Sequence, residues 1–165
     1  MRGKYLIFFG VTAIILSIVF GVINSQKFDE KYGCYWDYSR KSTTLASKAE
    51  YIDKYVSALE NSKMRGKYNS LFTKRIQDNF ELNLSALKTY QKRLNDIKDL
   101  NPKTPEYQLA MSQITENEAE YQIPNYMYDI WLRHNHILLW NWICFVQVMI
   151  SIFLIIIGFI MEDRY

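Results

Sequence analysis

The residue types best suited to chemistry crowd into one stretch, WLRHNHILLWNW at positions 131–142. It holds both histidines of the chain and three of its four tryptophans. On a continuous helix, residues two apart differ by about 200° in direction, so His134 and His136 point apart and cannot share a metal. A zinc pair on one helix needs i,i+4 spacing. Each histidine alone retains the chemistry of an axial ligand to haem or another cofactor, shared with a second chain. The rest of the sequence offers no cofactor motif, and none is expected. The competing account of the stretch is a membrane threshold. Tryptophan and tyrosine concentrate where a helix crosses the headgroups, and Tyr126, Tyr128, Trp131, Trp140 and Trp142 bracket such a level.

Other catalytic arrangements are missing. Cys144 lies within an apolar run and has no histidine placed to activate it, which is the setting of a small packing residue. Glu116, Glu118 and Glu120 alternate, so Glu118 faces away from the other two, and all three read as a solvated helix face. There is no glycine-rich phosphate loop, strained elbow or recognisable carboxylate pair. A non-enzymatic role is expected. Two cysteines, Cys34 and Cys144, fall at different depths and are not expected to form a disulfide. NLS at 83–85 fits a glycosylation acceptor but falls within a helical pattern.

Two runs carry most of the apolar weight. Residues 5–23 (YLIFFGVTAIILSIVFGVI) and 137–161 (ILLWNWICFVQVMISIFLIIIGFIM) contain no charged residue. At ~1.5 Å per residue both can cross a ~30 Å hydrocarbon core. The sequence thus predicts an all-α membrane protein. Its parts are an N-terminal tail at 1–4, transmembrane helix 5–23, an extramembrane helical domain at 24–136, transmembrane helix 137–161 and a short tail at 162–165. The first run, preceded by Arg2 and Lys4, lacks a good small-x-small cleavage site and reads as an uncleaved signal anchor. Those charges favour both termini in the cytoplasm, with 24–136 on the outer or periplasmic side.

The segment between the runs contains all but three of the chain's 20 Lys and Arg and all but two of its 17 Asp and Glu. The signs are mixed, so no basic stripe for nucleic acid is present. Residues 28–42 read as an irregular aromatic approach with Tyr32, Tyr35, Trp36 and Tyr38. A helix from about Thr44 carries Leu45, Ile52, Tyr55, Val56 and Leu59, with Ser47 and Glu50 as a capping box. A second, over about 78–100, carries Phe80, Leu84, Leu87, Leu94 and Ile97. Residues 68–77 are ambiguous. In NPKTPEYQLAMSQIT, Pro102 ends a helix, Thr104 caps the next and Pro105 takes its first position. That helix turns Tyr107, Met111 and Ile114 inward. A last helix, capped by Asn125, is expected to continue unbroken into the second apolar run. The domain is therefore a bundle of three to four helices.

On that continuous helix, Asp129, Arg133, His136, Trp140, Cys144, Gln147 and Ser151 fall within an arc of about 80°, with Gly158 on the same side. In the first run Gly10, Ala13, Ser17 and Gly21 share one face, and Ala13, Ser17 and Gly21 form a small-xxx-small ladder. Antiparallel pairing would set Gly21 level with Cys144 and Ser17 with Gln147. Gln147 would then bond to Ser17 or to a backbone carbonyl. Eleven of the 13 tyrosines lie in the middle segment, crowded toward its two ends, where they would form an interfacial collar or a docking surface.

The layout of tail, span, helical domain and span is similar to that of the ligand-sensing part of bacterial chemoreceptors, without a motif that assigns the family. The expected function is that of an accessory or scaffold subunit in a larger membrane assembly. Its partners would be the bilayer and other membrane subunits, in a hetero- or homo-oligomer. The alternatives are a ligand-sensing ectodomain coupled to a separate signalling partner, and a cofactor-bearing subunit using His134 or His136.

Overall fold

The computed structural model describes residues 2–68, 76–120 and 122–162. Among these residues seven α-helices follow in order: α1 Arg2–Phe28, α2 Cys34–Lys41, α3 Leu45–Glu60, α4 Phe80–Ile97, α5 Pro105–Glu120, α6 Ile123–His134 and α7 Ile137–Glu162. A π turn, Asp29–Gly33, joins α1 to α2, and a 3-10 turn, Ile76–Asp78, precedes α4. Among the described residues there is no strand beyond a single antiparallel bridge between Lys67 and Asn79. The chain divides into two compact units. Unit 1 is Met1–Lys27 with Asn135–Tyr165, and unit 2 is Phe28–His134.

Unit 2 is a bundle whose helices start where capping residues permit. Thr44 caps α3, its hydroxyl accepting the Ser47 N–H at 3.2 Å. Ser47 therefore lies inside the helix and is not the cap. Asn79 caps α4 by accepting the Leu82 N–H at 3.1 Å. Pro105 opens α5 as its spacing predicts, with the Thr104 hydroxyl 3.4 Å from the Tyr107 N–H. Each such cap satisfies one of the four orphan donors at a helix start. Gly66, at φ +76°, turns the chain ahead of α4. Tyr68 N–H to Asp78 O (2.8 Å) and Phe80 N–H to Gly66 O (3.0 Å) hold that turn closed.

The core is apolar and helical in period. Leu45, Ile52, Val56 and Leu59 of α3, Leu87 and Leu94 of α4, and Met127 and Ile130 of α6 are buried. A fully buried side chain of this size contributes ~1.5–3 kcal/mol. Helix α3 packs on α2 and on α4, and α6 packs on α4 and the 3-10 turn.

Three expectations need correction. Residues 28–41 are helical: the first helix runs on through the π turn, in which the Cys34 N–H reaches back to the Asp29 carbonyl, into α2, and only Ser42 is extended. A single glycine, Gly33, does not break it. Helix α6 begins at Ile123, so Asn125 is inside the first turn and donates to the Gln122 side chain at 3.0 Å. The last helix is also broken. It stops at His134, and His136 adopts φ +57° before α7 begins. Asn and His tolerate that left-handed conformation better than most residues, so no glycine or proline announces the turn. The arc linking Asp129 and Arg133 with Cys144 and Ser151 therefore does not continue across it. Residues 69–75, Tyr121 and the tail at 163–165 lie outside the described residues.

Unit 1 pairs α1 with the reverse-running α7. A Cβ on Gly10 would stand 2.8 Å from the Ser151 carbonyl oxygen, and one on Gly158 would stand 2.8 Å from that of Gly3. Both helices are long and apolar enough to cross a membrane, and most of their apolar side chains are exposed.

Candidate functional site

The α1–α7 contact follows a seven-residue repeat. Gly3, Gly10 and Asn24 are buried and Ser17 is half-buried, while on α7 Ser151 and Gly158 are buried and Cys144 is half-buried. Steps of seven keep a seam in register when two helices coil left-handedly. Steps of four, the basis of the Ala13–Ser17–Gly21 ladder, suit the opposite hand. Gly21 is accordingly exposed, with nothing within 4 Å of a Cβ built on it. Gly3, which precedes the apolar run read from sequence, belongs to the seam.

Gln147 donates to the backbone carbonyl of Ala13 at 3.3 Å. The Ser17 hydroxyl is spent on the same carbonyl at 3.0 Å, and Ser151 bonds back to Gln147 O at 2.8 Å. The small and polar residues of unit 1 thus satisfy one another or their own helices. Outward stand Phe8, Phe9, Leu16, Ile18, Leu139, Phe145 and Phe153.

The aromatic residues separate into interior and surface sets. Tyr32, Trp36 and Trp131 are buried in unit 2 and are not available to a partner. Phe28 collects three rings, with centroids at 5.5 Å (Tyr32), 5.1 Å (Tyr128) and 5.6 Å (Trp131), and Trp36 lies 6.0 Å from Tyr55 and 6.1 Å from Tyr90. Sequence neighbours of both apolar runs therefore meet through Phe28. Tyr35, Tyr126 and Tyr128 are half-buried, and Tyr38 and Trp142 are exposed. The side chain of Trp140 lies outside the described residues.

Neither histidine has the setting of a ligand pair. His134 Nδ1 is 2.9 Å from the Tyr68 hydroxyl, which also accepts the Arg65 N–H at 3.1 Å. His136 is exposed in the turn. Beside them, Arg133 pairs with Asp78 at 2.9 Å and donates to Tyr68 O at 2.5 Å. Among the described residues no group of three His, Cys, Asp or Glu side chains is placed to hold a metal. Cys34 and Cys144 are both free. Burial raises the Cys34 thiol above its ordinary range, the opposite of what a reactive thiolate needs. The Asn83 amide is buried and donates to Gln77 O and Asn79 O at 2.6 and 2.7 Å, which leaves it unsuited to carry a glycan.

The sequence does not announce a buried polar network that joins four helices of unit 2. Glu118, read as solvated, is 5% exposed, and Lys48 is 1% exposed. The Lys48 ammonium donates to Glu118 Oε2 at 2.5 Å and to the Ser39 carbonyl at 3.1 Å. Tyr90 donates to Glu118 Oε1 at 2.8 Å, and the single proton of the Ser39 hydroxyl lies within reach of that oxygen (3.5 Å) and of Lys48 O (3.3 Å). Helices α2, α3, α4 and α5 each supply one side chain. A signal was present: Lys48 sits on the stripe of Leu45 and Ile52, and Glu118 one turn beyond Ile114. Opposite charges on two apolar stripes are buried together or not at all.

No protein-family model, curated protein or solved structure matches this chain.

Beside this network, a groove of about 380 Å³ opens between α4 and α5, floored by Tyr90, Ile97, Ala110 and Ile114. Its volume is at the lower end of small-ligand sites.

Proposed function

We propose that this chain is a non-enzymatic two-pass membrane protein, an accessory or scaffold subunit of a larger membrane assembly. In this reading α1 and α7 cross the bilayer as an antiparallel pair. Both termini are cytoplasmic and the bundle of unit 2 lies on the outer or periplasmic face. The carrying observation is the inverted surface of unit 1, where the polar and small residues are inside and the hydrocarbon is outside. Lipid tails solvate such a surface, and polar groups in hydrocarbon prefer protein partners. Unit 2 exposes Tyr38 and the half-buried Tyr35, Tyr126 and Tyr128, residue types that dominate contact energetics.

The test is purification of the full chain in mild detergent with mass read across one size-exclusion peak. A stoichiometric companion polypeptide is expected. A lone monomer or homodimer overturns the subunit reading and favours a second one, ligand sensing by unit 2, for which the groove between α4 and α5 is the specific support.

A further inference from the structure

Helix α5 is attached to unit 2 differently from its neighbours. Of its described side chains only Tyr107, Ile114 and Glu118 are buried, whereas α3 buries seven, Leu45, Lys48, Ala49, Ile52, Tyr55, Val56 and Leu59. Leu109 of α5 is 61% exposed. Helices α3 and α4 are cross-linked along their polar flank by Gln91 and Asn95 to Asp53 and by Lys88 to Glu60. Among the described residues α5 has no such links. Its hydrogen bonds to the rest of the bundle come from Glu118 and from Tyr107, whose hydroxyl accepts the orphan Leu45 N–H at the start of α3 at 3.2 Å. On the α4 side it leaves the groove described above unfilled.

The surface beneath α5 is, by contrast, fully built. The Lys48 ammonium, the Tyr90 hydroxyl and the Ser39 hydroxyl come from three different helices and converge on one carboxylate. Lys48 is held in place by the Ser39 carbonyl as well, so the cation stays oriented whatever carboxylate it meets. A buried ammonium needs an anion, so any helix that replaces α5 on this surface must bring a carboxylate to Lys48. We propose that the surface of α2, α3 and α4 is a receptor for an acidic amphipathic helix of a partner protein, and that α5 is the tethered stand-in filling it. The occupant is defined by what α5 presents. It is a helix with a carboxylate four residues after an aliphatic side chain, and with a hydroxylated aromatic one heptad before that. This inference rests on the reading of unit 2 as a partner-binding domain.

Hydrogen exchange on the full chain in mild detergent tests it, read by mass spectrometry of peptides from each helix. Residues of α5 are expected to exchange at least tenfold faster than those of α3 and α4, as an element that opens below global unfolding does. A tethered helix competes at an effective concentration on the order of millimolar. An isotopically labelled peptide of residues 105–120 is therefore added to the Glu118→Gln chain, whose own α5 has lost its carboxylate. That peptide is expected to bind and to slow exchange in α3 around Lys48, and the same peptide carrying Glu118→Gln is not. Should the variant chain fail to fold, millimolar labelled peptide on the wild-type chain reads the same displacement as faster exchange of the chain's own α5. Exchange of α5 in step with α3 and α4 overturns the proposal, as does equal binding of the two peptides or binding of neither. The companion polypeptides seen in detergent report on the subunit reading separately, so the two failures are distinguishable.

Discussion

In unit 2 the side chains withdrawn from solvent are Leu45, Ile52, Leu87, Leu94, Met127 and Ile130, and the outward residues are mostly charged or amide. In unit 1 the withdrawn residues are Gly3, Gly10, Asn24, Ser151 and Gly158, and the outward ones are mostly Phe, Leu, Ile and Val. Both units are helices in contact, yet the rule deciding which face is hidden has changed sign. Burial of hydrocarbon stabilises the bundle because water is the alternative. In the proposed membrane reading, where the alternative is lipid, it does not bring α1 and α7 together, and their contact depends on backbone approach and polar satisfaction. The bundle hides exceptions to its own rule, foremost the ion pair of Lys48 with Glu118. The helix pair keeps to its rule, with the half-buried amide of Gln147 turned to the Ala13 carbonyl.

The bundle's exception carries the largest expected effect. Lys48→Ala leaves the Glu118 carboxylate buried without its cation and should cost ~3–5 kcal/mol in chemical denaturation of the full chain. Replacing both partners by apolar residues, Lys48→Met with Glu118→Leu, should recover most of that loss, because no charge then remains to be desolvated. Equal losses in the single and double variants would show that the pair matters for its shape and not its charge.

In the helix pair the corresponding break is steric. Gly10→Leu places side-chain atoms against the Ser151 carbonyl and Ile155, where a Cβ alone would lie 2.8 Å from that oxygen. Overpacking of this kind costs ~1–3 kcal/mol. Thermal unfolding of the full chain in mild detergent should show a lower midpoint for Gly10→Leu and for Gly158→Leu. Gly21→Leu, with open space at its Cβ, should leave the midpoint where it is. A drop for Gly21→Leu as well would mean that the four-residue ladder, not the seven-residue repeat, makes the contact.

This contrast bears on how much the sequence could disclose. The two apolar runs, the start of α5 at Thr104–Pro105 and the apolar stripes of α3 and α4 are local patterns, and they were readable. The choice between four- and seven-residue steps in α1 was not. Ala13, Ser17 and Gly21 are as small as Gly3 and Gly10, and the hand of the pairing depends on α7. The helix through 28–41 was hidden because tyrosines, charges and one glycine look irregular, while a π turn absorbs the mismatch. The stop at His134 was hidden for the opposite reason, since Asn135 and His136 bend without a glycine. Glu118 was misread because its partner stands 70 positions earlier in the chain. Its place on the stripe of Tyr107 and Ile114 was the one local clue.

A smaller effect separates a satisfied polar core from an unsatisfied one. Tyr55 is fully buried, and among the described residues its hydroxyl has no hydrogen-bond partner. Tyr55→Phe removes an unpaid desolvation and should stabilise unit 2 by about 1 kcal/mol. Burial also pushes the Tyr55 phenol well above its ordinary value. Below its unfolded pKa of about 10 such a group carries no ionisation penalty, and as pH rises further the fold loses stability, because only the unfolded chain can ionise it easily. Alkaline destabilisation beyond pH ~10 should therefore be shallower in Tyr55→Phe than in the wild type. Identical alkaline slopes would place the phenol in contact with water.

The smallest expected change is Gln147→Leu. The amide makes one bond of 3.3 Å to Ala13 O, an oxygen that already receives the Ser17 hydroxyl. Removing it leaves no acceptor stranded, and interhelical bonds of this kind in membrane proteins average ~0.6 kcal/mol. The thermal midpoint in detergent should fall by about 1–2 °C. Ser17→Ala combined with Gln147→Leu should fall further than the two single changes added together, because only then does the Ala13 carbonyl lose both side-chain donors. Additivity would mean that the carbonyl is content with its own helix bond and that α1 and α7 are held by close approach alone. The contrast with the bundle would then be complete: one unit relies on a buried polar contact, and the other on the absence of side chains.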